Sequence, residues 1–146
     1  MKQITVAEVE YIAYRLAKEL MSYDEPIPDF KTRYPGKLES CLAGAFQTYG
    51  KKDLYSTLPD KAAIMFYQMV KNHPFLNGNK RIAVTTLFTF LHLNKKWLNV
   101  TNDQLYQIAL WVAESQPQLK DGVVLAIKDF VRKNIADLTK EDKALE

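Results

Sequence analysis

The run His73-Pro74-Phe75-Leu76-Asn77-Gly78-Asn79-Lys80-Arg81 gathers an imidazole, two amides, a glycine and two cations in one short stretch. Imidazole exchanges protons near neutrality, with an ordinary pKa of about 6.5, so His73 is the candidate to take a proton from a hydroxyl nucleophile. Gly78 lets a ligand approach the backbone closely. A helix beginning near Asn79 leaves its first N–H groups without partners, and its dipole adds partial positive charge there. Lys80 and Arg81 contribute full charges, and a guanidinium grips phosphate oxygens as a fork. The combination describes a phosphate cradle beside a general base. Pro74 stiffens the turn, and Phe75 is expected to anchor the loop in the core. Plainer readings exist: a histidine at a helix end is more often a cap, and a Lys-Arg pair is usually just solvated. Cations at a helix N-terminus are nevertheless unfavourable without an anion nearby, and that mismatch favours function.

Holding such a loop falls to the segments around it, and their periodicity is helical throughout. Val6, Val9, Ile12, Ala13, Leu16, Ala17 and Leu20 recur at spacings of three and four. Thr5 is a candidate N-cap, with Glu8 completing a capping box. The stretch from Ser22 to Gly36 has no period and predicts a connection too polar to be buried. A helix is expected from about Lys37 to Phe46, then a loop or short flap over Gln47 to Leu58. Pro59 suits the first turn of the next helix, which is apolar nearly all round from Ala62 to Val70 and therefore central. After the break at Asn72 to Gly78, helical spacing resumes through Ile82, Ala83, Leu87, Phe90 and Leu91. Two further helices are predicted over Asp103 to Glu114 and Gly122 to Ile135, with 136–146 as a frayed tail. A polar loop wedged between the two most apolar helices is costly unless it serves a purpose. The prediction is an all-α, compact single-domain bundle covering residues 1–146.

Composition sets the outer bounds. The chain has 146 residues, enough for one real core, and its 47% hydrophobic and 25% charged residues are ordinary for a globular protein. With 5 Gly and 6 Pro, a loop-rich sandwich and disorder are both disfavoured. A net charge of +3, scattered along the chain, gives no basis for direct nucleic-acid binding. The single Cys41 rules out an internal disulfide, suits a reducing compartment and reads as a small buried hydrophobe. No secretory signal and no membrane-length apolar run is evident, so a cytoplasmic protein is expected. His92 reads as a polar tip, Trp97 and Trp111 as core or rim packing. Tyrosines are expected along a nucleotide groove, but which of the eight is not evident from sequence.

His-Pro-Phe-x-x-Gly-Asn-Lys-Arg resembles the signature of the Fic/Doc superfamily in its death-on-curing (Doc) branch. The likeness extends over roughly Thr5 to Glu114. Pro35-Gly36-Lys37-Leu38-Glu39-Ser40 is similar to the helix start of that branch. Asp53-Leu54-Tyr55 and Asp60-Lys61-Ala62-Ala63 resemble its flap and the opening of its central helix, and Phe90-Leu91-x-x-Asn94 the end of the helix after the signature. The resemblance implies a helical domain that transfers part of a nucleotide triphosphate to a protein hydroxyl. It implies His73 as general base, Gly78, Asn79, Lys80 and Arg81 as the phosphate-binding set, and Phe75 as anchor. The segment near Gln47 to Tyr55 would be the flap that aligns the target. Glu39, opening an apolar helix, is expected to cap or to pair with Lys80 or Arg81 in support of the loop.

Two positions depart from the commoner pattern. AMPylating members usually have Gly where Lys80 stands and a second Arg where Val84 stands, so the resemblance favours a Doc-like kinase over an AMPylase. Such a kinase moves the terminal phosphate of ATP to a translation factor, elongation factor Tu, and is silenced by a separate antitoxin. Asn77 occupies the place where the family commonly puts Asp or Glu to hold Mg²⁺. A neutral carbonyl oxygen lowers metal affinity there, leaving most of the ligand charge to the ATP phosphates. AMPylation, or a nucleotide- or partner-binding module with weak chemistry, are the alternatives. The inhibitory Ser/Thr-x-x-x-Glu-Gly/Asn motif of many relatives is not found. Thr139-Lys140-Glu141-Asp142-Lys143 carries Lys where its Glu belongs.

Overall fold

Three helices open with the same local chemistry. Thr5, Thr57 and Thr101 each accept a hydrogen bond from the backbone three residues on, and Glu8, Asp60 and Gln104 each accept one back from the threonine N–H. These capping boxes fix where the helices start. The structure is a computed structural model that describes residues 1–21 and 26–138. The first helix, α1, is one rod over 6–20 made of an α-helical turn Val6–Glu8, a π-helical segment Val9–Tyr14 and an α-helical end Arg15–Leu20. It is followed by α2 (Lys37–Gly44), α3 (Leu58–Lys71), α4 (Asn79–Leu93), α5 (Asn102–Glu114) and α6 (Lys120–Asn134). Two 3-10 turns (Phe30–Thr32 and Pro117–Leu119) and two short antiparallel pairs complete the described elements: β1 (Thr48–Tyr49) with β2 (Lys52–Asp53), and β3 (Lys96–Leu98) with β4 (Ile135–Asp137).

The all-α architecture holds, and α3 is its centre, packed against α2, α4, α5 and α6. Residues 61–67, 69 and 70 of α3 are all buried, which is why its sequence is apolar on nearly every side. On α4 every residue from Arg81 to Leu91 is buried, between α3, α5, β3 and α1. One core cluster runs from Ile4 to Val131. Trp97 stacks on Phe88 (5.3 Å) with His92 edge-on at 6.4 Å, while Trp111 sits half-exposed on the rim. Cys41 is buried, and burial pushes its thiol up to about 11 against the opposing pull of Asn72 and Lys37, so it is a packing residue.

Two expectations change. The connection before α2 is not uniformly exposed: Ile27 and Phe30 are buried, single apolar residues whose spacing gives no period to detect. Ser22 to Glu25 of that connection lie outside the described residues. Ala136 and Asp137, expected in a frayed tail, pair as β4 with Trp97 and Lys96. Thr139 to Lys143 lie outside the described residues. The flap is a two-plus-two hairpin whose roots are held by Lys61. That residue is 1% exposed, and its ammonium donates to the Ala45 carbonyl (3.2 Å), the Tyr55 carbonyl and Asp53 Oδ2 (3.2 Å).

Candidate active site

The loop between α3 and α4 is pinned by side chains of its own sequence. Asn79 Oδ1 accepts from the Phe75 N–H and Asn79 Nδ2 donates to the Phe75 carbonyl, both at 2.9 Å. This amide-to-backbone pairing closes residues 75–79 into a tight arch. Phe75, 2% exposed, holds the arch down through rings of Phe30 (5.7 Å) and Tyr14 (6.1 Å). The Tyr34 N–H donates to the Pro74 carbonyl at 2.9 Å, tying the loop to the segment before α2. His73 is exposed beside the arch, and Phe75 is anchored in the core.

Gly78 is the N-cap of α4, with φ +76 and no side-chain cap on the helix. A Cβ there would stand 2.8 Å from Ile27 Cγ1 and 3.4 Å from an Arg81 terminal nitrogen. The glycine is thus required twice, by its left-handed backbone and by the side chains packed beneath it. His73 also has a left-handed backbone, φ +47, which is uncommon for a residue with a side chain and is often found where function holds it in place.

Above this arch is a hollow of about 220 Å³ lined by His73, Leu76, Asn77, Gly78, Asn79, Lys80, Arg81 and Tyr106. The structure therefore brings His73, Asn77, Gly78, Asn79, Lys80 and Arg81 to one place. The individual roles differ from expectation in three respects. Arg81 is 3% exposed, and its Nη1 donates to the Met21 carbonyl at 3.3 Å, so it forms a wall and braces α1 instead of projecting an open fork. One turn on, the Thr85 hydroxyl donates to Ala13 in the π-helical segment (2.7 Å), a second brace between α1 and α4. The Asn79 side chain is spent on the arch, leaving the backbone at the start of α4 and the half-buried Lys80 at the hollow. Glu39 does not pair with Lys80 or Arg81. It opens α2 half-exposed, with Arg33 Nε 3.9 Å away.

Asn77 Oδ1 accepts from the Gly78 N–H at 2.8 Å. The oxygen expected to meet a metal is neutral and already engaged, and no cluster of metal-ligating acids, histidines or cysteines forms among the described residues. The donor set fits a phosphate chain and does not by itself fit Mg²⁺. Tyr106, reaching in from α5, is the lining residue that sequence did not single out among the tyrosines. Nothing at positions 102–114 except helical periodicity could have pointed to it.

A second, wider hollow of about 680 Å³ lies on the other flank of His73, lined by Pro35, Gly36, Lys37 and Ser40 before and along α2 and by Lys71 and Asn72 at the end of α3. The β1–β2 hairpin lines neither hollow. No helix among the described residues is long and apolar enough to cross a membrane.

The sequence is similar to known proteins over part of its length. The chain is 38% identical over 66 residues to "Toxin Doc" of Mycolicibacterium smegmatis (strain ATCC 700084 / mc(2)155), covering 45% of this chain and 51% of that protein. It thus spans about half the length of the curated relative it matches. No solved structure matches. A family model described as Fic/DOC family matches residues 3–91, a stretch holding α1, the hairpin, α3, the arch and nearly all of α4. With His73, the arch and the helices that carry them inside one match over more than half of its length, the chain belongs to the Fic/DOC family.

Proposed function

We propose that this chain is a Doc-like toxin, a nucleotide-dependent transferase that moves the terminal phosphate of ATP to a hydroxyl of a translation factor of the elongation factor Tu type. A separate antitoxin protein holds it in check. The observation that carries the reading is the hollow in which His73 faces the uncapped start of α4 across Gly78 and Lys80. A ring nitrogen of His73 takes the proton as the acceptor oxygen forms its bond to the terminal phosphorus, and the bond to the bridging oxygen breaks to release ADP. Negative charge on the transferred group then meets backbone N–H groups and the Lys80 ammonium, donors already in place before the reaction. Lys80 favours phosphoryl over adenylyl transfer, because its side chain occupies space that a small residue would leave to the inner phosphates. The family's Mg²⁺ would be held chiefly by the phosphates, since Asn77 offers a single neutral oxygen that is bound to Gly78.

The test is labelling of a cell extract, or of purified elongation factor Tu, with ATP carrying label on the terminal phosphate. A labelled band that disappears with His73→Ala is expected; a band that survives removes His73 as the base. Label transferred from the phosphate next to the ribose instead would establish the AMPylase alternative. An inert wild type that gains activity with Asn77→Asp would identify a binding module whose chemistry lapsed at that position.

A further inference from the structure

His73 follows directly on the C-cap of α3, Asn72, and its left-handed backbone (φ +47) is one that a residue with a side chain keeps only where its surroundings hold it. On the far side of His73 the loop is held by the Tyr34 bond to the Pro74 carbonyl and by the Asn79 arch. On the near side α3 ends with the Asn72 N–H donating to the Gln68 carbonyl at 2.9 Å. The tie to another element on that side comes from Lys71, two residues before His73. Its ammonium donates to the Ala113 carbonyl (3.3 Å) and the Ser115 carbonyl, 42 and 44 residues along the chain.

Those two carbonyls lie at the carboxyl end of α5, where a helix runs out of its own N–H donors and carries the negative end of its dipole. A half-buried ammonium is well matched to that end. The same helix delivers Tyr106 to the first hollow. Tyr106 precedes Ala113 by two turns, about 10 Å at 1.5 Å per residue. One helix therefore meets the approach to His73 at its end and forms a wall of the hollow at its middle.

We propose that Lys71 is a positioning residue: by gripping the carboxyl end of α5, it fixes where His73 stands relative to the Tyr106 wall and to a donor held at the start of α4. For the reaction this rests on the function proposed above; the grip itself needs neither ATP nor acceptor to be read. Without the ammonium, the turn at His73 keeps its ties on the far side alone, and the imidazole loses its fixed place. Proton transfer requires a reach of about 2.6–3.2 Å, and a misplacement of about 1 Å costs up to roughly a hundredfold in rate. Gly78 and the Asn79 arch are untouched by the change, and α5 stays packed on α4, so the hold on ATP persists.

The chain has 2 histidines, so the imidazole signals of the whole labelled protein form two sets in NMR spectra, and His73→Ala assigns them. In Lys71→Met the His73 signals should shift or broaden, while those of His92, edge-on to Trp97, stay in place. Lys71→Gln, with a shorter neutral donor, should show the same displacement and serves if the Met variant does not fold. Lys71→Arg, which still reaches the carbonyls, should keep the wild-type signals. Lys128→Met breaks the ion pair with Asp60 at the other end of α3 and controls for lost stability; it should leave His73 unmoved. With ATP and elongation factor Tu, kcat should fall at least tenfold in Lys71→Met and recover in Lys71→Arg, with KM for ATP within twofold throughout. His73 signals unchanged in Lys71→Met and Lys71→Gln overturn the proposal, as does an equal displacement in Lys128→Met. A rise in KM for ATP with kcat preserved also overturns it. Absence of transfer by wild type would count against the function proposed above, while the ring signals still decide whether Lys71 holds His73.

Discussion

Replacing Lys61 by Met keeps the side-chain stem in its channel and deletes the ammonium, so the hairpin roots lose their shared donor. Three oxygens are affected, and they differ in what they can recover. Asp53 is half-exposed and regains water, whereas the Ala45 carbonyl belongs to a residue with no exposed surface. Hydrogen bonds to a charged group contribute about 1.5–3 kcal/mol each, and a carbonyl left buried without a donor costs about 1–3 kcal/mol. Removing the ammonium also removes the cost of burying it, which offsets part of that sum, while losing the Phe46 ring contact at 4.7 Å adds to it. A net loss of about 2–4 kcal/mol follows, and at about 2–4 °C per kcal/mol for a chain of this size the midpoint falls by roughly 5–15 °C. Asp53→Asn weakens the exposed end of the same clamp and should cost under about 1 kcal/mol. Urea denaturation and calorimetry measure both. A Met variant within about 0.5 kcal/mol of wild type would mean that the desolvation cost of the ammonium matches its bonds, and the account of the hairpin's attachment would be wrong.

Other substitutions probe the arch and the central helix. Gly78→Ala should lower stability by about 1–3 kcal/mol and weaken ATP binding, because a left-handed backbone and the Ile27 contact both oppose a Cβ; thermal melts with ATP titration check this, and a neutral outcome would show that the arch can shift. Asn79→Ala should cost about 1–2 kcal/mol by releasing Phe75 N–H and carbonyl together, with Asn79→Asp intermediate because it keeps only the acceptor. For Asp60, burial raises the carboxyl's pKa, but Lys128 (2.7 Å) and Thr57 outweigh it and hold the value below the usual carboxylate range. A carboxyl depressed in the fold contributes stability above its unfolded pKa of about 3.9 and loses it as pH falls through the lower folded value. Stability measured from pH 6 down to about pH 2 should therefore fall less steeply in Lys128→Met than in wild type; identical slopes would show that the pair is not linked to folding.

How much of this was legible depended on the distance over which each feature is encoded. The Thr5 and Glu8 box, the all-round apolar face of α3 and the arch residues are local, set by neighbours within one or two turns, and the chain displays them openly. Lys61 could not be recognised, because a lone lysine in an apolar helix looks like a snorkelling side chain until its acceptors are known. Those acceptors are carbonyls brought near by the hairpin fold. Ile27 and Tyr106 are similar cases, each a single residue delivered to the site by the path of a distant segment. Lys96–Leu98 and Ile135–Asp137 are too short to show alternation, so β3 and β4 emerge only from their pairing. The charge of Arg81 was evident, but its direction was not, since the Met21 carbonyl that receives it comes from sixty residues earlier.

The bond from the Gly78 N–H to Asn77 Oδ1 places an amide oxygen where, on the function proposed above, a phosphate oxygen would be received. A phosphate oxygen entering there does not fill a bare donor; it competes with a tethered amide that is always within reach. A small monoanion gains little from that exchange. On that reading a chain of linked phosphates would displace the amide at one point while holding on at several others, so the resting contact would act as a filter for polyanions.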